Sequence, residues 1–520
     1  MLAVTRTAAL SGIEGISVKV EVDSGPGLPS FNVIGLGDTA VKEAADRVRS
    51  AIVNSGFEYP RGRVTVNLSP AWIHKKGSHY DLSMAVGVLA AQGRIGIKDT
   101  EGKAFVGELA LGGQVRGVKG ILPMISGLMG QINEIYLPEE NCREAVLAAA
   151  GLGIRIAGVR NLAETVDMLT GKSPVRYRTE RDVQLYGNEV QDLTGKKSDD
   201  SHIDFADVKG HWAAKEAIVT AVAGGHSLLM IGPPGTGKTM LARRIPTILP
   251  EMTPEEQLET SMIYSLIGRL SSQRPIIKER PFRQVSRRTS PAALLGGGYE
   301  PLPGEISLAC NGILFMDEFL EADRAQIELL RKPMEEKKIT IIRRSKPYTF
   351  PAKFTLAAAA NPCRCGYLGD PDHQCTCSQT EIDRYRSKLS GPICERIDMC
   401  IEISRVNYKA LTEAESADSA EMRKRVTAAR DIQRERFKSL TFDTNAMMDE
   451  KHIEEFCSLG PKERKFMKKA YEKYSLSPRR YHKILKLART AADLQECRDI
   501  EICHLATALN YTRFFGGEQT

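Results

Sequence analysis

The chain has 520 residues, of which 42% are hydrophobic and 26% charged, and its formal net charge is +7. This length exceeds what one hydrophobic core normally supports, and the ordinary composition excludes a fibrous or wholly disordered protein. No window approaches the roughly 18 uninterrupted apolar residues of a membrane span, and the N-terminus lacks the apolar stretch of a secretory signal. We therefore expect a cytoplasmic protein of several domains with no membrane partner.

The first 172 residues alternate short β-rich runs with helical patterns, which predicts an α/β domain. The β-rich runs are GISVKVEV, RVTVNL and KAFVGELAL. One helical pattern, DTAVKEAADRVRSAIVNSG, begins with Asp38 as an N-cap and ends on Gly56. Residues 173–205 are polar and aperiodic, which predicts a linker. A second α/β domain is expected over residues 206–404, and an almost purely helical region over residues 405–520.

A glycine-rich loop follows a predicted buried strand in SLLMIGPPGTGKTMLARRI and leads into a helical pattern. The loop matches the complete G-x-x-x-x-G-K-T pattern of a P loop. In such a loop, backbone N–H groups surround phosphate oxygens, Lys238 neutralises the β- and γ-phosphates, and the Thr239 hydroxyl binds Mg²⁺. The predicted ATP-binding residues are Gly232, Pro233, Pro234, Gly235, Thr236, Gly237, Lys238 and Thr239.

Two acids end the apolar run GILFMDEF. Asp317 is expected to bind Mg²⁺ at the end of a buried strand, and Glu318 to polarise the water that attacks the γ-phosphate. An acidic helix cap after a core strand is the structural alternative, and the preceding P loop favours hydrolysis.

A basic turn is predicted in the segment ITIIRRSKPYTFPAKFTLAAAAN, which follows a helix interrupted by Pro333. Its two β runs predict a hairpin with a basic tip, and a resemblance to ring helicases implies that this tip contacts DNA phosphates without reading bases. Charge at a hairpin turn also serves solubility, so a purely structural role stays open. The predicted DNA contacts are Arg343, Arg344 and Lys346.

Basic residues also cluster elsewhere. Between Lys462 and Arg489 there are eleven Lys and Arg against two Glu, and between Arg269 and Arg288 there are seven against one. Each run alone is typical of a solvated face, but three basic runs permit a polyanionic partner.

Four cysteines follow the strand pattern LAAAAN with the spacing C-x-C-x9-C-x-C. Four thiolates can enclose a tetrahedral Zn²⁺, and the intervening Gly, Asp and Pro residues allow the loop to fold back. His373 is an alternative ligand. A loop of thiols that bind no metal is the alternative to a zinc site. The candidate zinc ligands are Cys363, Cys365, Cys375 and Cys377.

These blocks resemble the AAA+ ATPases, and most closely the magnesium-chelatase-like branch of the ComM/YifB type. The similarity includes PGLPSFNVIGLGDTAVKEAADRVRSAI, GGGYEPLPGEISLACNGILFMDE, LSGPICERIDMCIEI and LSPRRYHKILKLARTAADL, so it extends over nearly the whole chain. The resemblance implies three domains: a Lon-protease-C-terminal-like α/β domain, an AAA+ P-loop α/β domain and a C-terminal helical lid.

The same resemblance implies roles for three polar residues. Asn361 looks like the sensor that orients attacking water, and Arg396 like an arginine finger that enters the neighbouring subunit's site. Arg479 looks like the second sensor, with Arg480 as the alternative. A finger that acts in trans implies a homo-oligomeric ring, with a hexamer expected. A surface salt bridge is the structural alternative for each arginine.

Two regions depart from the pattern of the family. A Lon-type protease needs a Ser nucleophile and a Lys, but here His79 and Met124 occupy those positions, so we expect a scaffold rather than a protease. In the segment where the family usually carries Pro-His-His, this chain has Val285, Ser286 and Arg287.

The leading hypothesis is an ATP-driven DNA helicase or branch-migration motor for recombination or natural transformation. A metal-insertion ATPase subunit of the magnesium-chelatase type and a nucleotide-switched scaffold are the alternatives.

Overall fold

The computed structural model describes residues 1–179, 203–271, 273–344, 346–387, 393, 395–406 and 417–512. They form two compact units. The first contains the described parts of Met1–Lys197, Pro254–Ile277 and Ile342–Thr349, and the second contains those of Ser198–Thr253, Lys278–Ile341 and Phe350–Thr520. None of the described helices has both the length and the apolar character that a membrane crossing requires.

The first unit contains two four-stranded sheets. In the first sheet the strand order is β1-β2-β4-β3, with β3 parallel to β4 and the other pairs antiparallel. These strands are β1 (Leu2–Ser11), β2 (Glu14–Gly25), β3 (Ser30–Ile34) and β4 (Arg63–Ser69). The predicted runs GISVKVEV and RVTVNL lie in β2 and β4. Their alternating valines are buried, as expected for strands with one face in a core.

The second sheet has the order β10-β9-β8-β5. Its strands are β5 (Lys103–Phe105), β8 (Glu134–Pro138), β9 (Arg155–Val159) and β10 (Tyr177–Arg178), and a separate short pair consists of β6 (Glu108–Leu109) and β7 (Val115–Arg116). The predicted run KAFVGELAL is therefore divided between β5 and β6. Of the predicted linker 173–205, Tyr177 and Arg178 pair with β9, while residues 180–202 lie outside the described part of the chain.

Six described α-helices belong to the first unit: α1 (Thr39–Asn54), α2 (Asp81–Ala91), α3 (Ile121–Leu128), α4 (Cys142–Ala149), α5 (Leu162–Leu169) and α8 (Pro254–Leu266). The predicted cap of α1 is confirmed, since the Val41 N–H donates to the Asp38 carboxylate at 2.9 Å. Helix α8 packs against α3, so part of the predicted 206–404 domain belongs to the first unit. The predicted domain boundaries stay predictions.

Glu144 on α4 is a buried acid in the first unit. Its carboxylate accepts hydrogen bonds from Asn141 Nδ2 at 2.7 Å and from Ser265 Oγ at 3.4 Å. Burial raises the pKa of Glu144 to about 7, although these two hydrogen bonds act in the opposite direction. The folded protein therefore holds a proton here that the unfolded chain releases at a lower pH.

We expect this proton to make stability depend on pH. The contribution of Glu144 is fully present below its unfolded pKa and is lost as pH rises through about 7. Glu144→Gln should therefore become more stable relative to wild type as pH increases from 5 to 8.5, by up to about 3 kcal/mol. Chemical denaturation at several pH values measures this difference. Glu140→Gln, at an exposed neighbour, is the control, and parallel pH profiles of wild type and Glu144→Gln would contradict the prediction.

The second unit is built on a five-stranded parallel sheet in the order β12-β15-β18-β11-β19. Its strands are β11 (Leu228–Ile231), β12 (Phe282–Val285), β15 (Ile313–Met316), β18 (Thr355–Ala360) and β19 (Met399–Glu402). Both faces of such a sheet are covered, which explains why β11, β15 and most of β18 are buried. Two short pairs complete the described strands. One is β13 (Gly296–Gly297) with β14 (Leu302–Pro303), and the other is β16 (Lys338–Arg343) with β17 (Lys346–Pro351), of which Ile342–Thr349 belongs to the first unit.

Seven described helices accompany this sheet: α6 (Trp212–Gly224), α7 (Lys238–Ile248), α9 (Pro291–Leu295), α10 (Glu305–Leu308), α11 (Arg324–Leu329), α12 (Arg331–Glu336) and α13 (Gln379–Arg386). Helix α11 ends at Leu329 and α12 begins at Arg331. The backbone carbonyl of Leu329 lies four residues before Pro333 in the sequence. The ring of a proline clashes with that carbonyl, so the predicted interruption has its expected cause.

The C-terminal region is helical, as predicted. Its described helices are α14 (Ser419–Arg436), α15 (Glu450–Phe456), α16 (Pro461–Lys473), α17 (Pro478–Leu494) and α18 (Ile502–Thr512). Residues 407–416 and 513–520 of the predicted 405–520 region lie outside the described residues. The chain is therefore a multidomain α/β protein with a parallel sheet and a helical C-terminal region.

Candidate active site

The glycine-rich loop connects β11, in the interior of the parallel sheet, to the N-terminus of α7. Gly235 and Gly237 have φ angles of +79° and +82°, which other residues rarely adopt. A Cβ on Gly232 would lie 2.2 Å from the Ile403 carbonyl oxygen, so no side chain fits there. The predicted strand, loop and helix are therefore present, in a backbone geometry that requires these glycines.

Lys238 is held inside this loop. Its ammonium donates to the carbonyls of Gly232 at 2.6 Å and Pro233 at 2.8 Å, and to Asn361 Oδ1 at 3.3 Å. Burial lowers the pKa of Lys238 below its usual range, and the Asp317 carboxylate opposes this effect. The loop thus concentrates a positive charge among backbone groups, where a polyphosphate would need it.

Two predicted magnesium ligands face each other. The Thr239 hydroxyl at the start of α7 donates to Asp317 Oδ2 at 2.9 Å, although 78 residues separate them in sequence. Asp317 directly follows β15, and the parallel sheet brings the carboxyl ends of its strands to one edge. A hydroxyl and a carboxylate are hard oxygen ligands, so the pair fits Mg²⁺ chemically.

Glu318 lies beside this pair but has a partner of its own. Its φ angle of +51° is uncommon for a residue other than glycine, and its N–H donates to Asp317 Oδ1 at 2.9 Å. Its carboxylate lies 3.3 Å from Arg287 Nε, and about half of each side chain is exposed. The Glu318 carboxylate is therefore engaged by Arg287 in this structure. The sequence showed Arg287 only as a departure from the family pattern.

Asn361 follows β18, which lies between β11 and β15. Its contact with Lys238 places the predicted sensor beside the P loop. The structure therefore brings together Lys238, Thr239, Asp317 and Asn361 through hydrogen bonds, while their roles in hydrolysis stay predictions.

The two arginines with predicted roles meet on an acid that the sequence did not indicate. Arg396 forms a short ion pair with Glu335 on α12, and Arg479 Nη2 lies 3.4 Å from the same carboxylate. Arg479 also pairs with Glu395 at 2.5 Å. Glu335 therefore pairs with both guanidinium groups. No motif or residue spacing in the sequence indicates this contact.

Arg480, the alternative second sensor, has a different contact. It donates to the Thr512 carbonyl at the end of α18, at 2.7 Å. The backbone carbonyl of Arg396, in turn, accepts from Ser227 Oγ at 2.9 Å, immediately before β11. Arg479, and not Arg480 in these contacts, therefore shares an ion-pair partner with Arg396.

The four cysteines converge in the loop between β18 and α13. Their sulfur atoms all lie within 4.8 Å of one another, and Cys363 is buried while the other three are half-buried. His373 is not in this group, because its ring stacks on Tyr367 with a centroid distance of 4.9 Å. The cluster could hold a metal through its thiols alone.

The basic tip lies between β16 and β17, so the predicted hairpin is present. Arg343 and Arg344 are exposed. Lys346 donates to the Trp72 carbonyl at 2.6 Å, in the same first unit. The tip therefore exposes the side chains of Arg343 and Arg344, and its lysine contacts the backbone of Trp72.

Two residues of the first unit, His79 and Met124, occupy the positions where the resemblance to a Lon-type protease predicts a Ser and a Lys. His79 is buried and its Nε2 lies 3.0 Å from the Ala8 carbonyl oxygen, and burial lowers the pKa of His79 to about 4. Met124 is a core residue, and the Ser78 hydroxyl forms a short hydrogen bond with the Glu108 carboxylate. The Ser78 hydroxyl is therefore bonded to an acid rather than to a lysine.

Three family models match the chain. The one described as magnesium chelatase, subunit ChlI matches residues 204–411, the one described as subunit ChlI of Mg-chelatase matches residues 20–141, and the subunit ChlI C-terminal model matches residues 416–512. All three models describe the same subunit, ChlI. Their matches follow one another along the chain without overlap.

Similar full-length proteins occur in several bacteria. Competence protein ComM of Haemophilus influenzae is 40% identical over 514 residues, which cover 98% of this chain and 97% of that protein. Proteins named YifB, described as uncharacterized, are 38% identical in Salmonella typhimurium and in Escherichia coli, and the matches cover 98% of this chain and 97% of each relative.

Proposed function

This chain belongs to the magnesium-chelatase-like family that includes ComM and YifB, and we propose that it is an ATP-hydrolysing, ring-forming DNA motor. The observation that carries the proposal is the hydrogen-bonded set of Lys238, Thr239, Asp317 and Asn361 at one edge of the parallel sheet. This set supplies the charge, the metal ligands and the polar sensor that phosphoryl transfer from ATP requires.

In the proposed mechanism the P loop binds the phosphates of ATP through its backbone N–H groups and Lys238. Thr239 and Asp317 would hold Mg²⁺, which would supply positive charge to the transferred phosphoryl group. Glu318 moves away from Arg287 and accepts a proton from water, while Asn361 orients that water. The first unit, which we propose is a Lon-like fold without protease activity, acts as a scaffold or partner surface.

The proposed ring rests on the finger role that the family resemblance gives to Arg396. We propose that assembly moves the Arg396 guanidinium from Glu335 to the γ-phosphate bound by the neighbouring subunit. Head-to-tail interfaces of this kind close into rings, and we propose a hexamer. In this scheme Arg479 shares Glu335 and couples the helical region to the same transfer.

DNA is the proposed substrate of the motor. Support comes from the exposed guanidinium groups of Arg343 and Arg344 and from the name of the Haemophilus influenzae relative, a competence protein. Cycles of hydrolysis would move the tip along a phosphate backbone and drive strand displacement or branch migration during recombination or natural transformation. The ten described cysteines that are free thiols fit a cytoplasmic location.

A metal-insertion ATPase subunit is the second candidate, because the matching family models carry the name of magnesium chelatase. A nucleotide-switched scaffold is the third, and it would leave Glu318 without a role in catalysis. Stimulation of ATP turnover by DNA separates the first candidate from both.

Single-stranded or forked DNA should raise the rate of ATP hydrolysis, and this stimulation should weaken steeply as salt increases. The double variant Arg343→Ala/Arg344→Ala should need more DNA for half-maximal stimulation. On a single strand, the slope of log affinity against log salt should be shallower by about 0.7 for each phosphate that the variant no longer neutralises.

The matched control is Arg61→Ala/Arg63→Ala, which removes two exposed arginines elsewhere in the first unit. It should behave like wild type in the same titration. The DNA motor is excluded if DNA of every form leaves the turnover unchanged. If DNA stimulates both double variants equally, the tip is not the contact.

A further inference from the structure

The four thiols of the cysteine loop, Cys363, Cys365, Cys375 and Cys377, lie at distances that no disulfide explains. The Sγ atoms of Cys363 and Cys365 are 3.3 Å apart, those of Cys363 and Cys375 are 3.7 Å apart, and those of Cys365 and Cys375 are 3.5 Å apart. A disulfide bond is about 2.05 Å long. Four thiolates bound to one Zn²⁺ at about 2.3 Å place their sulfur atoms about 3.8 Å apart. The cluster is therefore close to the size of a tetrahedral zinc site.

Backbone N–H groups are directed at the sulfur atoms of this loop. The Cys365 N–H lies 3.4 Å from Cys377 Sγ, and the N–H of Leu368 faces the Cys363 sulfur, while the Gly366 N–H donates to the Cys363 carbonyl at 3.1 Å. The N–H groups of Tyr367 and Thr376 face Cys365, and that of Cys377 faces Cys375. Such N–H groups stabilise the negative charge of thiolates and fix their orientation around a metal.

The rest of the loop has separate supports. The Asp370 side chain is fully buried, accepts the N–H groups of Asp372 and His373 at 2.8 and 3.2 Å, and pairs with Arg405 at 2.9 Å. These contacts engage His373 and Asp370 away from the sulfur atoms, so the four thiols are the consistent ligand set.

We propose that Cys363, Cys365, Cys375 and Cys377 bind one structural Zn²⁺. On binding, the thiols that are still protonated release their protons to solvent, and four zinc–sulfur bonds form without any change of oxidation state. With all four positions occupied by protein sulfur, the metal has no open position for catalysis. Its role is to fix the loop.

The loop fixed by this metal reaches the candidate ATP site. Cys363 follows Asn361 by two residues, and Asn361 contacts Lys238. A Cβ on Gly366 would lie 3.0 Å from Pro234 Cδ, so the loop packs directly against the P loop. At the other end, Ser378 follows Cys377 and caps α13 through hydrogen bonds with Glu381. The metal would therefore keep Asn361 in a fixed position relative to the P loop. An effect of this on catalysis rests on the proposed ATPase function.

Metal analysis of the full-length protein tests the binding site without reference to activity. We expect about one Zn²⁺ per chain, released when the thiols are blocked by a mercurial reagent. Replacement by Co²⁺ should give the sulfur-to-metal charge-transfer and d–d absorption of a tetrahedral tetrathiolate site. Cys375→Ser should lose this spectrum, whereas Cys503→Ser, at an exposed thiol of α18, should keep it.

The effect on hydrolysis is measured on wild-type protein whose zinc has been removed by a thiol-compatible chelator with Mg²⁺ in excess. Turnover should fall by up to about 100-fold, since a misplacement of about 1 Å at a reacting site has effects of this size. Added Zn²⁺ should restore it. If the wild-type protein contains zinc but hydrolyses no ATP under any condition, the proposed ATPase function is wrong and the proposed zinc site still stands. Wild-type protein that contains no zinc and gives no thiolate spectrum with Co²⁺ would overturn the zinc site, even if it hydrolyses ATP.

Discussion

Lys238→Ala is expected to abolish ATP hydrolysis, with turnover reduced at least about 100-fold, the usual effect of removing one electrostatic stabiliser from a transition state. Lys238 is the positive charge that the loop holds against the carbonyls of Gly232 and Pro233. It also contacts Asn361, so its removal breaks the link between the loop and the sensor. Phosphate release measured with saturating ATP and DNA checks this result.

Two further variants make the Lys238 experiment specific. Lys238→Met keeps the aliphatic length of the side chain and should be as inactive as Lys238→Ala, because the missing group is the charge. Lys468→Ala removes an exposed lysine of α16 and should retain full turnover. Hydrolysis at the wild-type rate by Lys238→Met would show that this loop does not hold the reacting phosphates.

Arg396→Ala is expected to lose hydrolysis about 1,000-fold while still binding nucleotide, since an arginine finger contributes this much to turnover. Nucleotide binding should persist because Lys238, Thr239 and Asp317 are contributed by the same subunit. Turnover and equilibrium binding of a fluorescent ATP analogue, measured on the same preparation, separate the two effects.

Glu335→Gln is the matched control for Arg396. It breaks the ion pairs of Glu335 with Arg396 and Arg479 but leaves both guanidinium groups in the protein. If Arg396 only makes a surface salt bridge, Glu335→Gln should impair hydrolysis as much as Arg396→Ala does. If Arg396 is a finger, Glu335→Gln should retain turnover, so equal reductions in the two variants would contradict the account.

The parts of the site that the sequence predicts are those specified by contiguous residues. The P loop consists of eight consecutive residues after a buried strand, and its glycines are required by positive φ angles and close approaches. The meeting of Thr239 with Asp317 follows from a general rule, because parallel strands end at one edge of their sheet. Helix α17 coincides with the periodic segment PRRYHKILKLARTAADL, because its periodicity is strong and Ser477 provides a cap.

Contacts between long charged side chains on distant elements could not be predicted in this way. Arg287 forms an ion pair with Glu318, which lies 31 positions later in the sequence. Glu335 forms ion pairs with both Arg396 and Arg479, which lie on other parts of the chain. Each side chain has several rotamers and many possible partners, so spacing carries no information about the pair. The contact between Lys346 and Trp72 is of the same kind, since it depends on the placement of the hairpin beside an N-terminal loop.

The central claim is that each ATP site is completed by the neighbouring subunit, and mixing two inactive variants tests it most directly. Lys238→Ala retains Arg396, and Arg396→Ala retains the P loop, so a mixed ring contains some interfaces with both groups. With random assembly at equal amounts, about one quarter of the interfaces are complete, and turnover should recover to about one quarter of the wild-type value. Differently tagged subunits that co-purify, yet hydrolyse no ATP, would contradict the account.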